Sequence, residues 1–141
     1  MITTFEKPFL NNDFYTITEY NNMQFPTAEN AFQASKYAKK NTAKQFQHIN
    51  PRQAALKGNN QIPNTPNWFN NSETIMYDIL KSKFSNPDLK EQLIATYPEE
   101  IVHVNGYHDT EWGICTCTHC CRNGENKLGK LLMKLRDELM D

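Results

Sequence analysis

Apolar positions recur at helical spacing over much of this chain and alternate in only two short segments. Ile75, Met76, Ile79, Leu80 and Phe84 follow a 3.6-residue period, and Asn70 with Glu73 resembles the capping pair that would start their helix. Leu128, Leu131, Leu132, Leu135 and Leu139 give a last helix one apolar face. Asn50-Pro51 has the cap-then-proline order of a helix start, with Gly58 as its stop. Asn86-Pro87 opens a further helix carrying Leu89, Leu93 and Ile94, ended near Pro98. The extended segments are Tyr15–Thr18 and Ile101–Val104. No repeat or linker divides the chain. The pattern predicts a helix-rich α+β fold with one small β-sheet, as a single domain over residues 1–141.

The stretch TAENAFQASK, Thr27–Lys36, predicts a helix of another kind, running on to Lys40. Pro26 and Thr27 supply its start, with Thr27 as the N-cap. At roughly 100° per residue, Glu29, Gln33, Lys36 and Lys40 fall in an arc of about 60°. Ala31, Ala34, Ser35 and Ala38 lie on the far side, where small residues allow close packing. Alone, such a charged arc reads first as a solvated face.

A chain of 141 residues can bury roughly 68% of its unfolded surface without staples. The formal net charge is −1, so no global field draws it to nucleic acid or to an anionic membrane. The N-terminus has no signal-like apolar stretch, and no apolar run is long enough to span a bilayer. A soluble, cytoplasmic protein is expected. The asparagine pairs (Asn11-Asn12, Asn21-Asn22, Asn59-Asn60, Asn70-Asn71) read as coding bias or polar loops. The long polar segment Gly58–Trp68 reads as a binding loop.

Candidate chemistry is concentrated late in the chain. His108-Asp109-Thr110-Glu111-Trp112-Gly113 follows the second extended segment directly. A carboxylate beside an indole, with Gly113 letting backbone approach a ligand, suits a sugar or nucleotide site; a turn with a buried tryptophan is the plainer reading. Trp68 reads as a base-stacking platform or as core. Gly124 to Gly129 enters the last helix, where backbone N–H groups attract phosphate, although Gly129 also suits close packing. The four cysteines fall between Cys115 and Cys121, too close together to staple distant segments. Their expected state is reduced thiols holding no metal needed for catalysis, with zinc at Cys115, Cys117, Cys120 and Cys121 the lesser alternative. No cofactor is expected.

Taken in order, FLNNDFY (Phe9–Tyr15), TAENAFQASK, Asn67-Trp68, IMYDILKSKF (Ile75–Phe84), HDTEWG (His108–Gly113) and NKLGKLLMKLR (Asn126–Arg136) resemble the NADAR (YbiA-like) domain family over nearly the whole chain. Two departures stand out. The family's arginine ahead of Trp68 is missing, with Gln61, Pro63 and Asn64 in that neighbourhood. His103 stands where many members have glutamate.

The resemblance implies an N-glycosidase acting on ribosides. Carried over by position, Glu29, Lys36 and Asp109 become the catalytic set, with Asn12, Trp68, Trp112, Gly113 and Asn126 binding substrate. Glu29 would handle the proton, Lys36 capture C1 and Asp109 hold ribose hydroxyls, and the two carboxylates could exchange roles. The implied substrate is ADP-ribosylated guanine in nucleic acid, with an ADP-ribosyltransferase toxin as functional counterpart. The alternative is a small phosphorylated riboside of the riboflavin pathway, cleaved to release ribose 5-phosphate. A non-catalytic ADP-ribose or NAD sensor is a third reading, and no membrane partner is implied.

Overall fold

The computed structural model describes residues 1–141. In chain order its elements are β1 (Ile2–Thr3), β2 (Thr18–Tyr20), β3 (Met23–Phe25), α1 (Ala28–Ala34), α2 (Lys40–Ala43), α3 (Pro51–Asn59), α4 (Trp68–Lys83), α5 (Pro87–Ala95), β4 (Ile101–Val102), β5 (Val104–Asn105), β6 (Ile114–Cys115) and α6 (Lys127–Met140). Short 3-10 turns lie at Pro8–Leu10 and Lys44–Gln47. The chain forms two compact units: Asn12–Asn86, and Met1–Asn11 with Pro87–Asp141. The α+β class stands, rich in helix.

In the Asn12–Asn86 unit, α1 packs against α3 and α4, and α4 against β2. Phe25, Ala28, Ala31, Phe46, Ala54, Ile79 and Leu80 are buried there. β2 and β3 form an antiparallel hairpin pairing Thr18 with Phe25 and Tyr20 with Met23. Its two-residue turn is Asn21-Asn22, both left-handed at φ 53° and 60°. A tight hairpin needs that geometry, and asparagine tolerates it because its short amide bonds locally. The extended segment therefore begins at Thr18, where Tyr15–Thr18 was expected to end, and one asparagine pair is a structural signal.

The helix expected over 27–40 stops at Ala34. Thr27 does cap it, its Oγ1 accepting from Asn30 N at 3.1 Å. Past Ala34 the bonds tighten, Lys36 N to Gln33 O at 3.2 Å and Tyr37 N to Ala34 O at 3.1 Å. The polar segment before α4 then takes over. Lys36 O accepts from Asn64 N and Thr65 N, Thr65 Oγ1 donates to Ser35 O, and Asn64 Oδ1 accepts from Ala38 N. Each backbone group that would continue the helix is satisfied elsewhere. Lys40 opens the separate α2, and Ala38 is exposed rather than buried.

Other boundaries moved for comparable reasons. Asn50 and Gln53 form a full capping box for α3, as the cap-then-proline order suggests, but the helix runs through Gly58 to Asn59. Gly58 is there for contact: a Cβ would lie 1.9 Å from Gln33 Oε1 and 2.9 Å from Gln33 Cβ. α4 starts at Trp68 after a left-handed Asn67, so Asn70 and Glu73 lie inside it and cap nothing.

In the other unit, α6 packs on β4 and α5, burying Leu89, Leu93, Ile101, Leu128, Leu132 and Leu135. The single expected sheet is instead three two-stranded ladders, the hairpin being one. The segment after Glu100 changes partners at His103. Ile101 and Val102 pair in parallel with Ile2 and Thr3, while Val104 and Asn105 pair with Ile114 and Cys115. His103 N donates to Asn126 Oδ1 at 2.9 Å rather than to a strand, which separates the ladders.

Candidate active site

Glu29 and Lys36 both belong to the Asn12–Asn86 unit, on either side of the end of α1. Glu29 is half-buried in the first turn, its N–H donating to Asn12 O at 2.9 Å. Gln33 Nε2 donates to Glu29 Oε1 at 2.8 Å and to Asn59 Oδ1 at 3.3 Å. Because the Gln33 side chain lies directly over Gly58, that glycine sets how Gln33 can hold the carboxylate.

Lys36 is only 8% exposed. Its Nζ lies 3.5 Å from Gly58 O and 5.3 Å from the centroid of the Trp68 ring. Burial lowers its pKa from the ordinary 10.5, and the Glu29 charge pulls the other way. Desolvation favours the neutral amine, the form that attacks a carbon centre. Turn geometry, not helix periodicity, brings the ammonium under this influence.

Trp68 is buried, with Nε1 donating to Ser35 Oγ at 3.0 Å and its ring 5.3 Å from Phe32 and from Phe69. Its indole is engaged by protein, so it supports the Ser35–Lys36 turn and does not offer an open stacking face. Asn12 is buried, its Nδ2 3.5 Å from Met76 Sδ while Oδ1 has no hydrogen-bond partner. A buried acceptor left in that state calls for a donor.

In the other unit, Asp109 Oδ1 accepts from Glu111 N at 3.1 Å and Trp112 N at 3.0 Å. Asn105, which sequence reasoning missed, holds this loop from below. Its Oδ1 accepts from Tyr107 N and Asp109 N, and its Nδ2 donates to Asp109 O and Ile114 O. Trp112 is half-exposed, with Lys127 Nζ 5.9 Å from its ring centroid and bonded to Glu111 at 2.8 Å.

Two residues expected to bind substrate are otherwise engaged. A Cβ on Gly113 would meet His103 O at 2.4 Å and the His103 ring at 2.7 Å, so Gly113 admits His103 rather than a ligand. Asn126 Oδ1 accepts from His103 N, and its Nδ2 donates to Ile101 O at 3.0 Å. Gly129 packs against Ile101 O and Asn126. His103 is itself buried, with Nδ1 2.9 Å from Thr4 Oγ1.

Lys83 was also missed. It is fully buried, its Nζ 5.2 Å from the Phe84 ring and 5.9 Å from that of Phe14. Desolvation, opposed by the Asp13 charge, lowers its pKa to about 7. The signal was present: Met76, Ile79, Leu80 and Lys83 share one helical stripe.

The thiols are free and do not all cluster. Cys115, Cys117 and Cys120 gather with His108, while Cys121 Sγ turns away to donate to Thr118 O at 3.0 Å. The four cysteines weighed from the sequence as the lesser, zinc-holding alternative are therefore not the group the fold brings together.

The NADAR domain sequence model matches residues 2–140, running through both units. This chain belongs to the NADAR domain family. The N-glycosidase YbiA of Shigella boydii is 33% identical over 118 residues, covering 82% of this chain and 71% of that protein, and the Escherichia coli YbiA gives the same figures. The chloroplastic riboflavin biosynthesis protein PYRR of Arabidopsis thaliana is 37% identical over 98 residues, 64% of this chain but 15% of that protein. The NMR structure of E. coli YbiA superposes with a TM-score of 0.79 at 30% identity, over 94% of this chain and 77% of that one. This NADAR chain therefore shares its fold with a solved member of the family.

Proposed function

We propose that this chain hydrolyses a ribosyl C1–N bond, with Glu29 and Lys36 as the reacting side chains. N-glycosyl hydrolysis is the activity for which its YbiA relatives are named. The observation that carries the assignment of residues is the buried Lys36, its pKa depressed by desolvation, in the same electrostatic environment as Glu29. A site that only bound a diphosphate would keep its lysine charged and hydrated. This is the ground for preferring an enzyme to an ADP-ribose or NAD sensor.

Cleavage of the C1–N bond builds positive charge on the sugar, which a nearby carboxylate stabilises. Glu29, as its carboxylate, takes the proton that the Lys36 nitrogen sheds on bonding C1 and passes it to the departing nitrogen. Neutral Lys36 bonds to C1, the ring opens to a Schiff base, and water adds at C1 to release the free sugar and regenerate the amine. Asn12 Oδ1 accepts a substrate hydroxyl.

Of the two substrate classes, a small phosphorylated riboside is favoured over ADP-ribosylated guanine. The ground is twofold: a relative named for riboflavin biosynthesis, and a net charge of −1 that supplies little of the phosphate-neutralising field nucleic acid binding uses. Side-by-side incubation with early riboflavin-pathway ribosides and with ADP-ribosyl-guanine DNA tests this. Release of ribose 5-phosphate from the former alone is expected. Release of ADP-ribose alone would reverse the choice, and inactivity on both would remove the enzyme reading.

A further inference from the structure

We infer that His108, Cys115, Cys117 and Cys120 form a structural zinc site that pins the loop carrying Asp109. Their ligand atoms all lie within 4.8 Å of one another. From His108 Nδ1 the three sulfurs lie at 3.3 Å (Cys120), 3.5 Å (Cys117) and 3.9 Å (Cys115). Zn–S of about 2.3 Å and Zn–N of about 2.0 Å at tetrahedral angles put N and S about 3.5 Å apart. The set is already at metal-bridged spacing. Hydrogen bonding alone does not account for it, because one imidazole nitrogen makes a single hydrogen bond, yet three sulfurs converge on this one.

The ligands come from three places held by separate backbone bonds. Cys115 lies on β6, paired with Asn105, and its N–H donates to Asn123 O at 2.9 Å. Cys117-Thr118-His119-Cys120 is a C-x2-C knuckle, with Cys120 N donating to Cys117 Sγ at 3.3 Å. His108 has φ 71°, a left-handed conformation that costs a non-glycine residue roughly 1 kcal/mol or more. A bond from its side chain to a fixed metal is a reason for that cost to be borne.

Three thiolates and an imidazole match zinc in donor type, and four protein ligands close its coordination sphere. Binding releases up to three thiol protons to solvent and leaves the site with one net negative charge, with no change of oxidation state. Such zinc is outside the glycosidic chemistry. Its role is positional, since Asp109 follows His108 directly and shares the Asn105 clamp.

The test uses the full-length untagged chain, made in zinc-supplemented medium and kept with reductant and without chelator. Elemental analysis is expected to find about one zinc per chain. Cobalt(II) replacing it should show tetrahedral d–d bands with thiolate-to-metal charge transfer. Cys117→Ser and Cys120→Ser should lose the metal, while Cys121→Ser keeps it. Should the first two fail to fold, mercurial titration of the unaltered chain serves instead: zinc should leave with three thiols, the fourth reacting without release. Metal removal should speed amide hydrogen exchange over residues 105–113. Folded protein with four titratable thiols and no zinc would overturn the site, as would loss of metal from Cys121→Ser. Unchanged exchange on metal removal would overturn the pinning of the loop. None of these readouts depends on the proposed substrate.

Discussion

The main chain of Lys36 is held by Asn64 and Thr65, while its ammonium sits against Gly58 O and the Trp68 ring. These contacts hold the amine in a buried position, and burial is what lowers its pKa. Lys36→Ala and Glu29→Gln should each lower kcat by about 10³-fold or more while leaving the far-UV spectrum intact. Near wild-type kcat in Lys36→Ala would end the Schiff-base mechanism. The pH profile carries a sign. Neutral Lys36 is the reactive form, so kcat/KM should rise with pH through a limb lying below the ordinary 10.5. The Glu29 charge raises that pKa. Residual activity in Glu29→Gln should therefore show the limb at lower pH, and a limb moved upward would contradict the coupling. Gly58→Ala probes the same pair indirectly, since its methyl must displace Gln33, the residue bonded to Glu29. Lower kcat with the helices retained is expected, measured by steady-state kinetics beside circular dichroism.

The helices follow from their apolar periods, and α5 and α6 lie where the pattern puts them. Their ends were less legible wherever a distant segment supplied the backbone partner. Nothing within TAENAFQASK announces that Asn64 and Thr65 will take the carbonyl of Lys36. The polar Gly58–Trp68 segment was noticed, but its order comes from the turn it clasps. Asn21-Asn22 was legible and passed over, as a two-residue left-handed turn between extended runs. Asn126 shows the limit most clearly. Chain position suggests a ligand contact, whereas its amide ties α6 to the backbone at Ile101 and His103. Asn126→Ala should cost about 1–3 kcal/mol in urea unfolding, the penalty for stranding buried backbone groups. A stability loss under 0.5 kcal/mol (about the size of a surface substitution) would return Asn126 to the substrate.

Across the whole molecule, a net charge of −1 and a family match over residues 2–140 bear on function more than any one patch does. Family membership was legible from six loose motifs in order; of the proposed zinc ligands the three cysteines were in view as the lesser alternative, whereas His108 was not, because it joins them through the β5–β6 pairing. Lys83 gives the molecule an internal pH response. Its folded pKa of about 7 lies below the ordinary 10.5, so the unfolded chain binds the extra proton between those values. Stability linked to Lys83 should thus rise with pH across that window, and the gap between Lys83→Met and wild type should narrow from pH 7 toward pH 10 as the burial penalty of the cation disappears. A gap constant with pH, measured by denaturant unfolding, would show that Lys83 does not titrate there. Because Lys36 and Lys83 are both buried amines with lowered pKa values, the decisive experiment distinguishes them. Borohydride is added during turnover of the riboside and the adduct is mapped by peptide mass spectrometry. The mechanism predicts a reduced adduct of ribose 5-phosphate mass on Lys36, absent without substrate. An adduct on Lys83, or sustained turnover with no adduct on Lys36, would contradict it.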